Sequence, residues 1–366
     1  MHIAVTSKFS SNFFSNGLNQ NLVLLYEALE LCGFQVFFLD FSNLSKNEKL
    51  QKHSFIDNKN IFNYYSTKEC PYIDILLCPG VAANQQIKDY VKKTNPNCKF
   101  VGVKYGNNLI TDIEDCFLNE EPEIHSIEKN RNLDFVLYSP HYKFAKEYYE
   151  FTCQCPSAEM PYIWSPKFTE EISRKNNLNI EYKPQEKPNI AVFEPNLNIS
   201  KNSYIPFLSL IGLLEKHEDI FNEGYIFSNI KSEKLSKLSK FLYSETILKD
   251  KRKKIFFDPR QITPTVLNRD NPIVLSHQFL NELNYLHLEA IYYNFPLVHN
   301  SPAFKDYGYF YNDFNVLECI KSLELCIQEQ KSWNPKENTK PRNNILSKYS
   351  LESNVENIKN TILQIL

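Results

Sequence analysis

The stretch SHQFLNELNYLHLEAIYYNFPLVHNSPAFKDYGYFY, residues 276–311, decides the fold class. It takes over from an apolar run, Ile273–Ser276, and passes through a polar loop into a helix-patterned segment carrying Glu289. It then returns to an apolar run at Pro296–His299 and leaves through a second polar loop. Strand, loop, helix, strand, loop is a parallel crossover unit. That order sets an acidic side chain and a run of loop amides at the carboxyl ends of neighbouring strands, where open α/β sheets bind nucleotides. Asn281 and Glu289 stand eight positions apart within it. A core helix with a polar edge would give the same spacing, so the rest of the chain has to decide.

Working outward, the same alternation recurs. Ile3–Val5 reads as a buried strand, followed by a polar loop over 6–16 and a helix from Leu18, whose Leu18, Leu22, Leu25 and Leu29 form one apolar face. Gly33 stands where a helix ends in a left-handed cap. Val36–Leu39, Ile73–Leu77, Phe100–Val103 and Phe135–Tyr138 are further strand-like runs. Prolines 156, 161, 166, 184 and 188, around the charged segment Glu170–Lys187, mark a linker. A second α/β series follows: strand Asn189–Phe193, helix Tyr204–Lys216, strand Tyr225–Phe227, helix Lys231–Tyr243 and strand Ile255–Phe257, before the decisive stretch. Leu351, Val355, Ile358, Ile362 and Ile365 give a closing amphipathic helix. The expectation is α/β: two Rossmann-like domains facing across a cleft, with 1–165 as the first, 166–188 as linker and 189–345 as the second.

Composition agrees with this and excludes other classes. A chain of 366 residues with 42% hydrophobic and 14% aromatic residues can build about two cores. The net charge of −2 gives no global basic field for nucleic acid. The basic run Lys251–Lys254 reads as a solvated turn. Nine scattered cysteines, with only Cys153 and Cys155 close together, read as reduced thiols. The chain opens on a strand-like segment without a charged and apolar leader, and no apolar run reaches about 18 residues, so no transmembrane segment and a cytoplasmic location are expected. Zinc spacings, an EF-hand loop, a P-loop and a nucleophile elbow are all absent from the sequence. The oligomeric state is not legible.

Several loops carry candidate chemistry. Asn16 and Gly17 stand where a helix begins, a place that favours anions, although a plain capping loop fits as well. Gly106 and Asn107 follow strand Phe100–Val103 and suit close approach of an acceptor sugar. Asp112 and His141 are the catalytic candidates, Asp112 to orient or deprotonate an acceptor hydroxyl and His141 to shuttle a proton or bind phosphate, although an acidic first helical turn and a structural histidine fit the same residues. Glu194, Asn196 and Lys201 follow the first strand of the second series, where a lysine can neutralise a diphosphate. His277 ends its strand, and His299, Asn300 and Ser301 close the Glu289 unit.

With these residues assembled, the chain resembles a glycosyltransferase of the GT-B fold, and within it a poorly characterised bacterial and phage group known as a domain of unknown function. The resemblance is carried by SNGLNQN (15–21), YGNN and the following DIED (105–115), FEPNLNISK (193–201) and SHQFLNELNYLHLEAIYYNFPLVHNS (276–301). It implies a nucleotide-sugar donor in the second domain: Lys201 on the diphosphate, Arg260 as its basic companion, Glu289 on ribose or sugar hydroxyls, and 299–301 on phosphate. Asn281 stands where many such enzymes carry the first glutamate of an acidic pair, a departure that bears on the stereochemical outcome. The resemblance further implies no cofactor and no metal, and a helix over 346–366 packing back on the first domain.

The expected function is therefore metal-independent transfer of a sugar from a nucleotide sugar to a hydroxyl on a glycan, lipid-linked or nucleic-acid acceptor. Phage-type glycosylation of hydroxymethylated DNA bases and a non-catalytic sugar-nucleotide or glycan binding protein are the alternatives.

Overall fold

Ile3, Ala4 and Val5 are wholly buried, as are Ile75, Leu76 and Leu77. Such unbroken apolar runs suit strands of a parallel sheet covered on both faces. A computed structural model describes residues 1–9, 17–42, 55–67, 69–118, 132–228, 254–333 and 339–366. The expected helix 231–243, Asn16, and residues 251–253 of the basic run lie outside the described residues. The chain divides into two compact units, Met1–Ser165 with Lys348–Leu366, and Pro166–Ser347.

In the first unit, β1 (His2–Ser7), β2 (Gln35–Asp40), β3 (Ile61–Asn63), β4 (Ile75–Cys78), β5 (Lys99–Lys104), β6 (Phe135–Tyr138) and β7 (Ser157–Glu159) form one parallel sheet. Their order is β3-β2-β1-β4-β5-β6-β7. Val5 of β1 sits between Phe38 and Leu77, so the register lines up apolar residues across the centre. Helix Gly17–Leu31 buries Leu22, Val23, Leu25, Tyr26, Ala28 and Leu29. Its Tyr26 hydroxyl donates to the Val36 carbonyl at 3.0 Å. Gly33 takes φ +85°, the left-handed cap expected of it. Helix Leu351–Leu363, capped by Ser350 on the Ser353 amide, packs on helix Gly17–Leu31.

The second unit repeats the plan. β8 (Ile190–Val192), β9 (Gly224–Ser228), β10 (Ile255–Pro259), β11 (Ile273–Leu275), β12 (Leu297–His299) and β13 (Tyr309–Phe310) are parallel in the order β10-β9-β8-β11-β12-β13. Phe207, Leu210 and Leu213 of helix Tyr204–Lys216 pack with Cys319, Leu323 and Cys326 of helix Val316–Glu329 in its core. Gly212 permits that approach, since a Cβ there would stand 2.5 Å from Ile320 Cδ1.

The segment 166–188 departs from the expected linker. It carries helix Lys167–Lys175, which buries Phe168 and Ile172. Farther on, the Tyr182 hydroxyl donates to Gln330 Oε1 at 2.8 Å. The charges that mark it as a linker in sequence line one face of a helix, and two apolar side chains four apart fasten the other.

In each sheet the chain steps outward over three strands and then crosses back. The order reverses between β1 and β4 and again between β8 and β11. In open α/β sheets such reversals leave a crevice at the carboxyl ends of the strands.

Candidate functional site

The loops leaving β8 and β11 meet across the second reversal. Glu194, 1% exposed, accepts from Ser276 Oγ at 2.7 Å, from the His277 amide at 3.2 Å, and from Gln278 Nε2 at 3.1 and 3.2 Å. Burial pushes its carboxyl up to about 7, while the donating hydroxyl, the amide and the Lys201 charge pull the other way. Gln278 is clamped in turn: its amide donates to Asn300 Oδ1 and its carbonyl accepts from Asn300 Nδ2, both at 2.8 Å. Asn281 Nδ2 donates to Gln278 Oε1 at 3.2 Å. One carboxylate and one carboxamide thus hold the loop 276–281 in place.

Glu194, His299, Asn300 and Ser301, expected among the donor-contacting residues, have buried side chains whose hydrogen-bonding groups are taken up by the protein. His299 Nε2 bonds the Tyr307 carbonyl at 2.9 Å, and its Nδ1 accepts from the Ser301 amide at 3.1 Å. Ser301 Oγ donates to the Glu282 carbonyl at 2.6 Å. With its carbonyl-bonded Nε2 as donor, His299 is a neutral imidazole, and burial lowers it to about 4.

A different set of polar groups remains available. His277 Nδ1 bonds Tyr311 Oη at 3.0 Å, while its Nε2 is buried without a partner, and burial lowers the ring to about 4. Asn196 adopts φ +53°, and its Oδ1 accepts from the Ser203 amide at 2.7 Å, at the start of helix Tyr204–Lys216. Its Nδ2 is buried and unpartnered. Ser228 Oγ, at the carboxyl end of β9, is unpartnered as well. Buried polar atoms without partners are uncommon, and three of them gather at the carboxyl ends of β8, β9 and β11.

The cations come from the same edge. Lys201 sits in a tight turn, its amide donating to the Asn198 carbonyl at 3.1 Å. Burial lowers its ammonium below the ordinary lysine value, the Glu194 carboxylate raises it, and the Arg260 charge lowers it further. Arg260 is exposed, directly after β10. Glu289, on helix Tyr285–Tyr292, reaches solvent in part, yet packing around its carboxyl pushes it up to about 7, against the pull of the Thr263 side chain. Thr263 opens helix Thr263–Asp270 after β10. Two cations and a carboxyl held ready to donate or accept a hydrogen bond suit a phosphorylated, hydroxyl-rich ligand. Ser276, Gln278, Ser228 and Thr263 were not singled out in sequence. Only position at a strand end or helix start could have pointed to them.

At the carboxyl edge of the first unit, Gly17 is the exposed first residue of its helix. Gly106 is exposed too, and a Cβ there would meet nothing within 4 Å. Asn107 is buried, and its Oδ1 caps helix Asn108–Leu118 by accepting the Ile110 amide at 3.2 Å. Asp112 is buried on that helix and accepts the Tyr148 hydroxyl. The His141 ring packs 3.9 Å from that of Tyr142 and 5.7 Å, edge-on, from that of Tyr162. Asp112 is therefore held within the first unit by Tyr148, and His141 packs against two tyrosine rings of that unit. Among the described residues, no three histidine, cysteine or acidic side chains converge as metal ligands, and no helix is long and apolar enough to cross a membrane.

The chain belongs to the family described as Protein of unknown function (DUF2827), whose model matches residues 2–361. No curated protein matches it in sequence. Solved structures resemble it over its whole length. A sucrose-phosphate synthase from Thermosynechococcus elongatus aligns with a TM-score of 0.60 at 10% identity, covering 100% of this chain and 98% of that one. A lipopolysaccharide outer core galactosyltransferase aligns at 0.56 and 13%, covering 100% of both. An alpha-glucosyltransferase in complex with UDP and a 13-mer DNA containing an HMU base aligns at 0.57 and 11%, covering 100% and 99%. These likenesses establish the fold: two parallel-sheet α/β units of the GT-B type.

Proposed function

We propose that this protein is a glycosyltransferase that binds a nucleotide-sugar donor at the carboxyl edge of its second sheet and moves the sugar to a hydroxyl acceptor without a metal. The observation that carries this reading is the desolvated Lys201 ammonium, in the field of Glu194 and Arg260, with unpartnered polar atoms of Asn196, Ser228 and His277 at the carboxyl ends of β8, β9 and β11. Lys201 and Arg260 would neutralise the diphosphate and stabilise the charge that builds on it as the glycosidic bond breaks, the role a metal takes elsewhere. Glu289 would bond ribose or sugar hydroxyls. Asn281, an amide in place of a carboxylate, would hold a sugar hydroxyl without supplying negative charge. The first unit would offer the acceptor its edge at Gly17 and Gly106.

The reading is supported by the GT-B fold, which the chain shares with glycosyltransferases at low identity. A glycan or lipid-linked acceptor fits the net charge of −2 better than DNA does. The likeness to an enzyme bound to DNA with an HMU base keeps base glycosylation as a second reading.

A thermal-shift screen of uridine, guanosine, adenosine, cytidine and thymidine nucleotides with their sugar conjugates tests the donor site. Stabilisation by one base class, lost in both Lys201→Ala and Glu289→Ala, is expected. A melting curve that no nucleotide moves would sink the reading.

A further inference from the structure

Resting on the donor site proposed above, we propose that Ser276 and His287 are positioning residues that fix how the loop 276–281 presents His277 and Asn281 to the sugar half of the donor. Ser276 has one hydroxyl hydrogen, and with Glu194 ionised it goes to Oε1 at 2.7 Å, because a carboxylate can only accept. The serine lone pairs then take two donors, Gln278 Nε2 at 3.2 Å and His287 Nε2 at 2.9 Å. The His287 hydrogen must therefore sit on Nε2, which leaves Nδ1 as a lone-pair nitrogen. Nδ1 is indeed buried with no partner.

No neighbour reverses this assignment. The His299 ring lies 5.6 Å away, but both of its nitrogens are engaged with Tyr307 and Ser301. Phe304 packs edge-on at 5.3 Å and offers no polar group. Complete burial also holds His287 well below the ordinary histidine value, so the ring is neutral and carries a single hydrogen.

The resulting chain runs in one direction, from His287 to Ser276 to Glu194. It links three segments: the helix Tyr285–Tyr292, the end of β11 and the end of β8. Glu289 lies two residues beyond His287 on that helix. His287 and Ser276 therefore fix the angle between the Glu289 helix and the loop bearing His277 and Asn281, while Lys201 follows from the β8 end. None of the three relay side chains needs to touch the ligand. Gln278, which bonds Glu194, Ser276 and Asn281 together, extends the same constraint to the loop tip.

The test compares wild type with Ser276→Ala, His287→Leu and His287→Gln at about pH 8, where the Glu194 carboxyl is ionised. Binding is measured for nucleoside diphosphates and, separately, for their sugar conjugates. Ser276→Ala and His287→Leu should keep diphosphate affinity within about twofold while losing about tenfold of the preference for the sugar conjugate. His287→Gln, whose amide can donate in place of Nε2, should retain most of that preference. An unchanged preference, or equal losses for diphosphate and conjugate, overturns the proposal. A ligand-free measurement decides the relay independently. Nitrogen-15 spectra of the histidine rings should show His287 fixed as the Nε2–H tautomer, released to a mixture in Ser276→Ala. A mixture already present in wild type overturns the relay. Were wild type to bind no nucleotide at all, the donor reading would fall, and the tautomer would still decide whether the relay exists.

Discussion

Ser276 Oγ lies 2.7 Å from Glu194 Oε1, and this contact joins the carboxyl ends of β11 and β8, the strands between which the second sheet reverses its order. Glu194 is thereby a fastening between two loops.

Removing the carboxylate should be costly. Glu194→Ala strands the Ser276 hydroxyl, the His277 amide and the Gln278 carboxamide in a buried setting, a loss of about 2–4 kcal/mol. Glu194→Gln keeps one acceptor oxygen and should lose less. Urea unfolding midpoints measure both, and an unchanged midpoint for the alanine variant would contradict the buried network.

Glu289 contributes to the pH dependence of stability beside Glu194, its folded carboxyl being raised from 4.5 to about 7. Between those values the folded state holds a proton that the unfolded chain has released, so this group's contribution is present at low pH and is lost as pH rises through about 7. Glu289→Gln should remove that slope. The difference in unfolding free energy between variant and wild type should grow in the variant's favour from acid to neutral pH and level off above it. A constant difference would show that the carboxyl titrates normally.

Gly308 stands in the left-handed region at φ +71°, where a Cβ would fall on the Leu297 carbonyl oxygen. Gly308→Ala should destabilise by about 3 kcal/mol or more through backbone strain and overlap. Gly212→Ala meets only the end of the Ile320 side chain and should cost less. Thermal melting of the two variants side by side checks the ranking.

In the first unit, Asp40 is wholly buried and accepts from Ser7 Oγ, the Phe9 amide, Ser42 amide and hydroxyl, and Asn63 Nδ2. Asp40→Ala should lower stability by about 2–3 kcal/mol and loosen the segment at Phe9. Amide hydrogen exchange at Phe9 and Ser42 should accelerate, and unchanged protection there would contradict the anchoring role.

The long strands and helices were legible because apolar periodicity reports burial directly: Phe135–Tyr138 and Tyr204–Lys216 fall where the pattern places them. β3, β7 and β13 were not, since two or three half-buried residues leave no pattern. Helix Lys167–Lys175 was hidden because its charges outnumber Phe168 and Ile172. For the candidate site, residue type and position beside strand ends made Lys201, His277 and Glu289 candidates. What sequence could not reveal was the direction each side chain takes. His299 and Ser301 fit a phosphate loop by type, but the chain turns them inward, while Ser276 and Gln278 are ordinary polar residues that become structural through the loop they share.

The most direct test of sugar transfer is release of nucleoside diphosphate from the sugar nucleotide that stabilises the protein, followed by chromatography with and without candidate acceptors. Release should rise with a hydroxyl-bearing glycan or lipid-linked acceptor and fall by about a hundredfold or more in Lys201→Ala. Tight binding of the sugar nucleotide with no release under any acceptor would contradict it and leave a binding protein in place of an enzyme.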